Sequence, residues 1–213
     1  RVNVFLHVNH TPQKIRNGVL LCINGTGILN SWLKHNAAGG RDYPEMNALA
    51  NEAPVGSEGL VILPYGNGAE RTLENRNIGA SIHNLNLNIH RLSHILRAGQ
   101  EGIVFALNYG LDIMKDMGIR IDMVRAGKAN MFLSPLFAQT FATLSGAVVE
   151  LYDADGSQGA ARGAGIGAGI YKTYAQAFEN LKKLASVEPA HSQADACKNA
   201  YSNWLAVLKP LIT

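Results

Sequence analysis

Ile119-Arg120-Ile121-Asp122-Met123-Val124-Arg125, running into Ala126-Gly127-Lys128-Ala129-Asn130, is the stretch whose reading decides the fold. The first seven residues read as a strand, the next five as a glycine turn, and Phe132 to Leu144 as a helix. The same order occurs twice more. Gly18 to Asn24 is an apolar, β-branched strand, and Gly25-Thr26-Gly27 opens a helix to about His35, with Trp32 and Leu33 on its apolar face. Ala147 to Tyr152 is a strand followed by Asp155-Gly156-Ser157 and a small-residue helix from Gln158 to Tyr171. Strands alternating with helices predict an α/β domain built on a largely parallel sheet.

Outward from these units, Arg1 to Val8 pairs with Gly18 to Asn24 as a hairpin across Asn9-His10-Thr11-Pro12. A short helix is expected over Pro44 to Asn51 and a buried strand over Gly59 to Leu63, with a glycine- and asparagine-rich loop from Pro64 to Asn77. Asn88 to Met117 is the longest periodic segment, with Leu92, Ile95, Leu96, Ile103, Leu107 and Met114 at helical spacing. Gly99, Gly102 and Gly110 share nearly one stripe of it. Each glycine inside a helix costs about 1 kcal/mol against alanine, so close approach of another backbone is the physical reason to expect. Two helices, Tyr174 to Ser186 and Ser192 to Leu208, form a helical extension over 172–213 of a domain spanning 1–213.

Hydrophobic residues make up 47% of the 213 and charged residues 16%, a globular balance. The formal charge is +3, without a basic cluster interleaved with aromatics, so a nucleic-acid partner is not expected. No apolar run approaches the roughly 20 residues that span a bilayer, which leaves no membrane partner and a cytoplasmic address as the expectation. Cys22 and Cys197 read as small core residues rather than a disulfide. The chain opens within a strand-like alternation at Arg1, which reads as the boundary of a fragment.

Helix N-termini carry unpaired N–H groups and a partial positive charge, so each strand–glycine–helix junction is a candidate phosphate site. None matches the standard phosphate loop, and Gly163 to Gly169 sits inside a helix-like run where a dinucleotide fingerprint needs a preceding strand. The parallel-sheet reading puts all three junctions on one edge, where α/β folds bind ligands. His90 and His94, four apart on a helix, have no Glu in the zinc-protease arrangement and no nearby Cys, so capping is expected over metal binding. Glu70-Arg71-Thr72 reads equally as a surface turn or a domain-contact loop. No serine elbow and no paired carboxylates are present, so no catalytic residue and no metal ligand is assigned.

Five motifs in order resemble the xylulokinase-like C-terminal domain of the FGGY carbohydrate kinases. Leu63-Pro64-Tyr65 through Glu70-Arg71-Thr72 resembles that family's Leu-Pro-Tyr…Glu-Arg-Thr segment. Glu101-Gly102-Ile103-Val104-Phe105-Ala106 is similar to its Glu-Gly-aliphatic helix, and Gly127 to Leu133 to its adenine-side glycine motif. Gly159-Ala160-Ala161-Arg162-Gly163-Ala164 resembles the following helix. Gly27 stands five residues before Trp32-Leu33, as in relatives. The chain departs from the pattern at Ala126-Gly127-Lys128, where relatives carry consecutive glycines, and at Leu73, where they carry proline.

The resemblance implies an actin-like ATPase (ribonuclease H-like) fold, here expected to lack its first strand. It implies ATP with Mg²⁺ as cofactors, Gly27 and Ser31 bordering the phosphates, and Gly127 and Asn130 bordering adenosine. The activity implied is ATP-dependent phosphorylation of a ketose or polyol, xylulose first, with the catalytic base and sugar site in an N-terminal domain. Without that domain the fragment is expected to be inactive, and a homodimer is compatible with the reading. Two rivals stand beside it: a non-catalytic actin-like nucleotide-binding regulator, and a dinucleotide oxidoreductase, which lacks the acidic residue about twenty positions past a fingerprint.

Overall fold

Helix α3 (Leu92–Asp116) has 25 residues and packs against more elements than any other does, in a computed structural model that describes residues 1–213. Before it come β1 (Asn3–Leu6), β2 (Asn17–Leu20), α1 (Thr26–Asn36), α2 (Tyr43–Ala50), β3 (Val61–Tyr65) and β4 (Gly79–His83). After it come β5 (Met123–Gly127), α4 (Pro135–Ser145), β6 (Val148–Tyr152), α5 (Gly156–Gly167), α6 (Tyr174–Phe178), β7 (Lys183–Val187) and α7 (Ala194–Ile212).

Of the glycine stripe of α3, Gly102 has the backbone neighbour expected, whereas Gly99 and Gly110 face the side chains of Leu33 and Leu21. A Cβ on Gly102 would stand 2.2 Å from the carbonyl oxygen of Ile62, so β3 lies against this helix as backbone on backbone. Every residue of β3 is buried. The Ile62 carbonyl also accepts from Trp204 Nε1 at 3.0 Å, bringing α7 onto the same strand. Trp204 is fully buried and stacks on Tyr201, with ring centroids 6.0 Å apart. On the other flank α2 begins with a capping box, Asp42 Oδ1 accepting from the Glu45 N–H and Glu45 Oε2 from the Asp42 N–H.

The expected largely parallel sheet is corrected. The strands form three small sheets, two of which, β1–β2 and β3–β4, are antiparallel pairs. In the third, β5 pairs parallel with β6 and β7 adds to β6 antiparallel. The sequence reading missed β4, whose Gly79-Ala80-Ser81 start carries almost no strand signal. Its register with β3 is nonetheless complete, from Val61↔His83 to Tyr65↔Gly79. The helix expected over Tyr174 to Ser186 is also corrected: it ends at Phe178, and Lys183–Val187 is a strand. Leu181-Lys182-Lys183-Leu184-Ala185 is helix-prone in isolation, but pairing with β6 overrides propensity. The helical parts of 172–213 are therefore α6 and α7. Trp32, expected beside Leu33 on the buried face of α1, is 55% exposed while Leu33 is buried.

The two histidines do not share a helix: His94 Nδ1 accepts from the Arg91 N–H at the start of α3, the capping role read for it, whereas His90 precedes that helix and its Nδ1 accepts from the Asn86 N–H within a turn. Of the two cysteines read as core residues, Cys197 is buried but Cys22 is exposed, and both are free thiols. No helix is long and apolar enough to cross a membrane.

On the β5–β6–β7 sheet Glu150, only 8% exposed, accepts from Tyr152 OH at 2.8 Å and pairs with Arg125 and Lys183 at 3.0 Å each. The Tyr152 hydroxyl first, then Lys183 and Arg125, hold its carboxyl at about 2, below the ordinary 4.5. A depressed acid stabilises the fold above its unfolded pKa, and that contribution is lost as pH falls through the folded value. Glu150→Gln is therefore expected to lower the urea midpoint at neutral pH, with the difference from wild type shrinking below pH 4.5 and closing near pH 2. Trp204→Ala, in the same assay at neutral pH, is expected to cost about 3–5 kcal/mol, the usual range for emptying a buried aromatic site.

Candidate functional site: a groove where three glycine junctions meet

The three strand–helix junctions come together, although no single sheet carries them. A cavity of about 420 Å³ is lined by Thr26 and Gly27 at the start of α1, by Gly127 at the end of β5 and Asn130 just past it, and by Asp155 and Gly156 at the start of α5. A second, of about 260 Å³, shares Gly27, Asn130 and Met131 with it and continues toward Tyr43, Asn47 and Ser134. Together they form one groove in the size range of small-molecule sites.

Gly27, Gly127 and Asn130 are thus brought together as the sequence reading required. Ser31 lies a turn further along α1 and lines neither cavity; its hydroxyl stands 3.5 Å from His35 Nδ1. The two glycines differ in what demands them. A Cβ on Gly127 would stand 2.0 Å from the Ala154 carbonyl oxygen, so the β6–α5 connection needs glycine there for its own passage. A Cβ on Gly27 would meet nothing within 4 Å, because that position faces open groove. Between them the turn is fixed by the Lys128 N–H donating to Tyr152 O and the Ala129 N–H donating to Gly127 O, both at 2.8 Å. Asn130 has φ +51°, a left-handed conformation that asparagine tolerates better than most residues.

Electrostatically the groove relies on main chain. No lysine or arginine lines either cavity. Helix α1 has Gly25 at its N-cap, no side-chain cap and no acidic residue in its first turn, so its leading N–H groups are open to an anion. Lys34 sits over the ring of Tyr43, a wall of the smaller cavity, at 4.4 Å. The one carboxylate in the lining is Asp155, which caps α5 by accepting from the Gln158 N–H at 2.9 Å. The Ser157 hydroxyl first, then that N–H, hold the Asp155 carboxyl below its usual range.

Asp155 belongs to the third junction named in the sequence, and its place directly before the first helical residues is an N-cap signature. Gln100, behind the groove, had no sequence signal beyond its place on α3. It is 1% exposed, accepts from Ser134 Oγ at 2.7 Å and donates to Asn47 Oδ1 at 2.9 Å, tying together α2, α3 and the start of α4 behind the smaller cavity.

Residues 18–170 match the profile of the FGGY family of carbohydrate kinases, C-terminal domain. The chain belongs to that family. Xylulose kinase of Haemophilus influenzae is 31% identical over 179 residues, which are 80% of this chain and 35% of that protein. Among solved structures, ligand-bound xylulose kinase from Lactobacillus acidophilus matches 99% of this chain and 45% of its own, with TM-score 0.83 and 17% identity. Plasmodium falciparum glycerol kinase with ADP matches 100% of this chain and 42% of its own, with TM-score 0.79 and 23% identity. The fold is the actin-like ATPase fold of FGGY kinases, and the chain spans about a third of the length of the curated relatives it matches.

The glycine contrast is testable in this FGGY domain. Gly27→Ala is expected to keep or raise stability, by at most about 1 kcal/mol, since alanine is the better helix former and the space is open. Gly127→Ala is expected to lower it by about 1–3 kcal/mol through the clash with Ala154. Urea unfolding of the two variants beside wild type reads the difference.

Proposed function

We propose that this chain is the nucleotide-binding half of an ATP-dependent kinase that phosphorylates a ketose or polyol, xylulose first. In this reading it holds ATP or ADP in the groove between α1, the β5 turn and the start of α5. The observation that carries it is the convergence of Gly27, Gly127, Asn130 and Asp155 on one groove, in a chain whose relatives include several xylulose kinases. The uncapped N-terminus of α1 suits the phosphates, and the side chain of Asn130 suits a polar edge of the nucleoside.

Phosphoryl transfer depends on positioning and on charge stabilisation of the transferring group. The residues here supply the first by holding the nucleotide. They supply no cage for Mg²⁺, because the groove's lone carboxylate is already engaged by Ser157 and Gln158. The ion would be held mainly by the phosphate oxygens. No residue of this chain is assigned as catalytic base, so the sugar, the base and turnover belong to the N-terminal domain of a complete enzyme, and this chain by itself is proposed to be inactive. We place the reaction in the cytoplasm.

Calorimetric titration of MgADP into the folded chain tests the reading. Wild type is expected to bind, and Asn130→Gly, which keeps the left-handed backbone but removes the amide, is expected to bind about fivefold more weakly, the worth of one neutral hydrogen bond. Equal affinity of the two proteins removes Asn130 from the site. Absence of binding by the folded wild type removes the nucleotide reading.

A further inference from the structure

Glu70 belongs to the Leu-Pro-Tyr…Glu-Arg-Thr segment, which the groove itself does not use. The surface-turn reading of this loop does not describe it: Glu70 and Thr72 are fully buried within the chain. Glu70 Oε1 accepts from the N–H groups of Asn24 at 2.8 Å and Gly25 at 3.2 Å, the two residues directly before α1. The same loop grips this turn from other sides. Asn24 Nδ2 donates to Ala69 O at 3.1 Å, Asn67 Nδ2 donates to Asn24 O at 3.3 Å, and Pro64 O lies 1.6 Å from where a Cβ on Gly25 would stand.

The geometry points to Glu70 as a positioning residue for the phosphate end of the bound nucleotide, an inference that rests on the nucleotide reading above. A helix start is ordinarily satisfied by its own cap residue. Here the acceptor is set one step upstream, on Asn24 and Gly25, and α1 has no cap of its own. The next two residues, Thr26 and Gly27, line the groove. The clamp fixes the direction of the helix start without occupying the donors that face the ligand.

Burial pushes the Glu70 carboxyl up, while the Asn24 and Gly25 N–H groups pull it down. Oε1 is an acceptor in either protonation state, so the clamp rests on its geometry. Glu70 Oε2 has no hydrogen-bond partner and is buried, as are the unpartnered Tyr65 hydroxyl and Thr72 Oγ1 of the same segment.

The test is calorimetric titration of MgADP and, separately, of adenosine into the wild-type chain, Glu70→Ala, Glu70→Gln and Glu70→Asp. Because only the phosphate end depends on the clamp, Glu70→Ala is expected to bind ADP about tenfold more weakly, with adenosine affinity unchanged. Glu70→Gln, which retains an oxygen acceptor, is expected to keep ADP affinity within about threefold. Should Glu70→Ala not fold, Glu70→Asp, with its carboxyl one methylene short, is expected to show the same split between the two ligands. Parallel loss of ADP and adenosine in a folded variant, no loss of either, or a Gln variant as impaired as the Ala variant overturns the positioning role alone. A folded wild type that binds neither ligand overturns the nucleotide reading, and this inference with it.

Discussion

The structure depends on how closely α3 approaches β3. Gly102 brings the helix backbone against the Ile62 carbonyl, where any side chain would force the two apart. That contact sets the position of β3, and β3 sets two other things. On one side Trp204 of α7 donates to the same carbonyl; at its C-terminal end the chain turns at Pro64 and Tyr65 into the loop that carries Glu70. The helix penalty of a glycine, about 1 kcal/mol, is offset by a dry interface in which every residue of β3 is buried.

From α3 the influence reaches the groove by two routes. One is polar: Gln100 joins Asn47 of α2 to Ser134 at the start of α4. The other is steric and runs through β3 to the loop that clamps Asn24 and Gly25. Buried polar groups like these are costly unless paired, so a fully paired Gln100 fixes one arrangement of three helices over others.

How much of this was legible in the sequence follows from what each segment buries. The long helix announced itself because its apolar residues recur at helical spacing over many turns, and the glycine stripe pointed to close packing before any contact was known. Strand β4 was hidden because Gly79-Ala80-Ser81 has no periodicity; only its pairing with β3 makes it a strand. Strand β7 was read as helix because Lys182, Lys183, Leu184 and Ala185 are helix formers until an open edge of β6 is supplied. At the groove, glycines and Asn130 were visible as turn chemistry, whereas Gln100 and Glu70 were not. Their roles are fixed by partners in distant segments, Ser134 and Asn47 for one and Asn24 and Gly25 for the other, and no local pattern encodes them. Ser31 shows the converse: motif spacing placed it near the groove, and the turn of α1 carries it past.

The bare start of α1 has a consequence for how this domain can change. A grip built from peptide N–H groups has no side chain to exchange, so ordinary substitution at those positions leaves each donor in place. Proline alone deletes one. Recognition of the anion is thereby insulated from most drift in the residues that deliver it. Its tuning passes to the segments behind the turn, where a change such as a shortened acid alters the aim of the donors without altering their number.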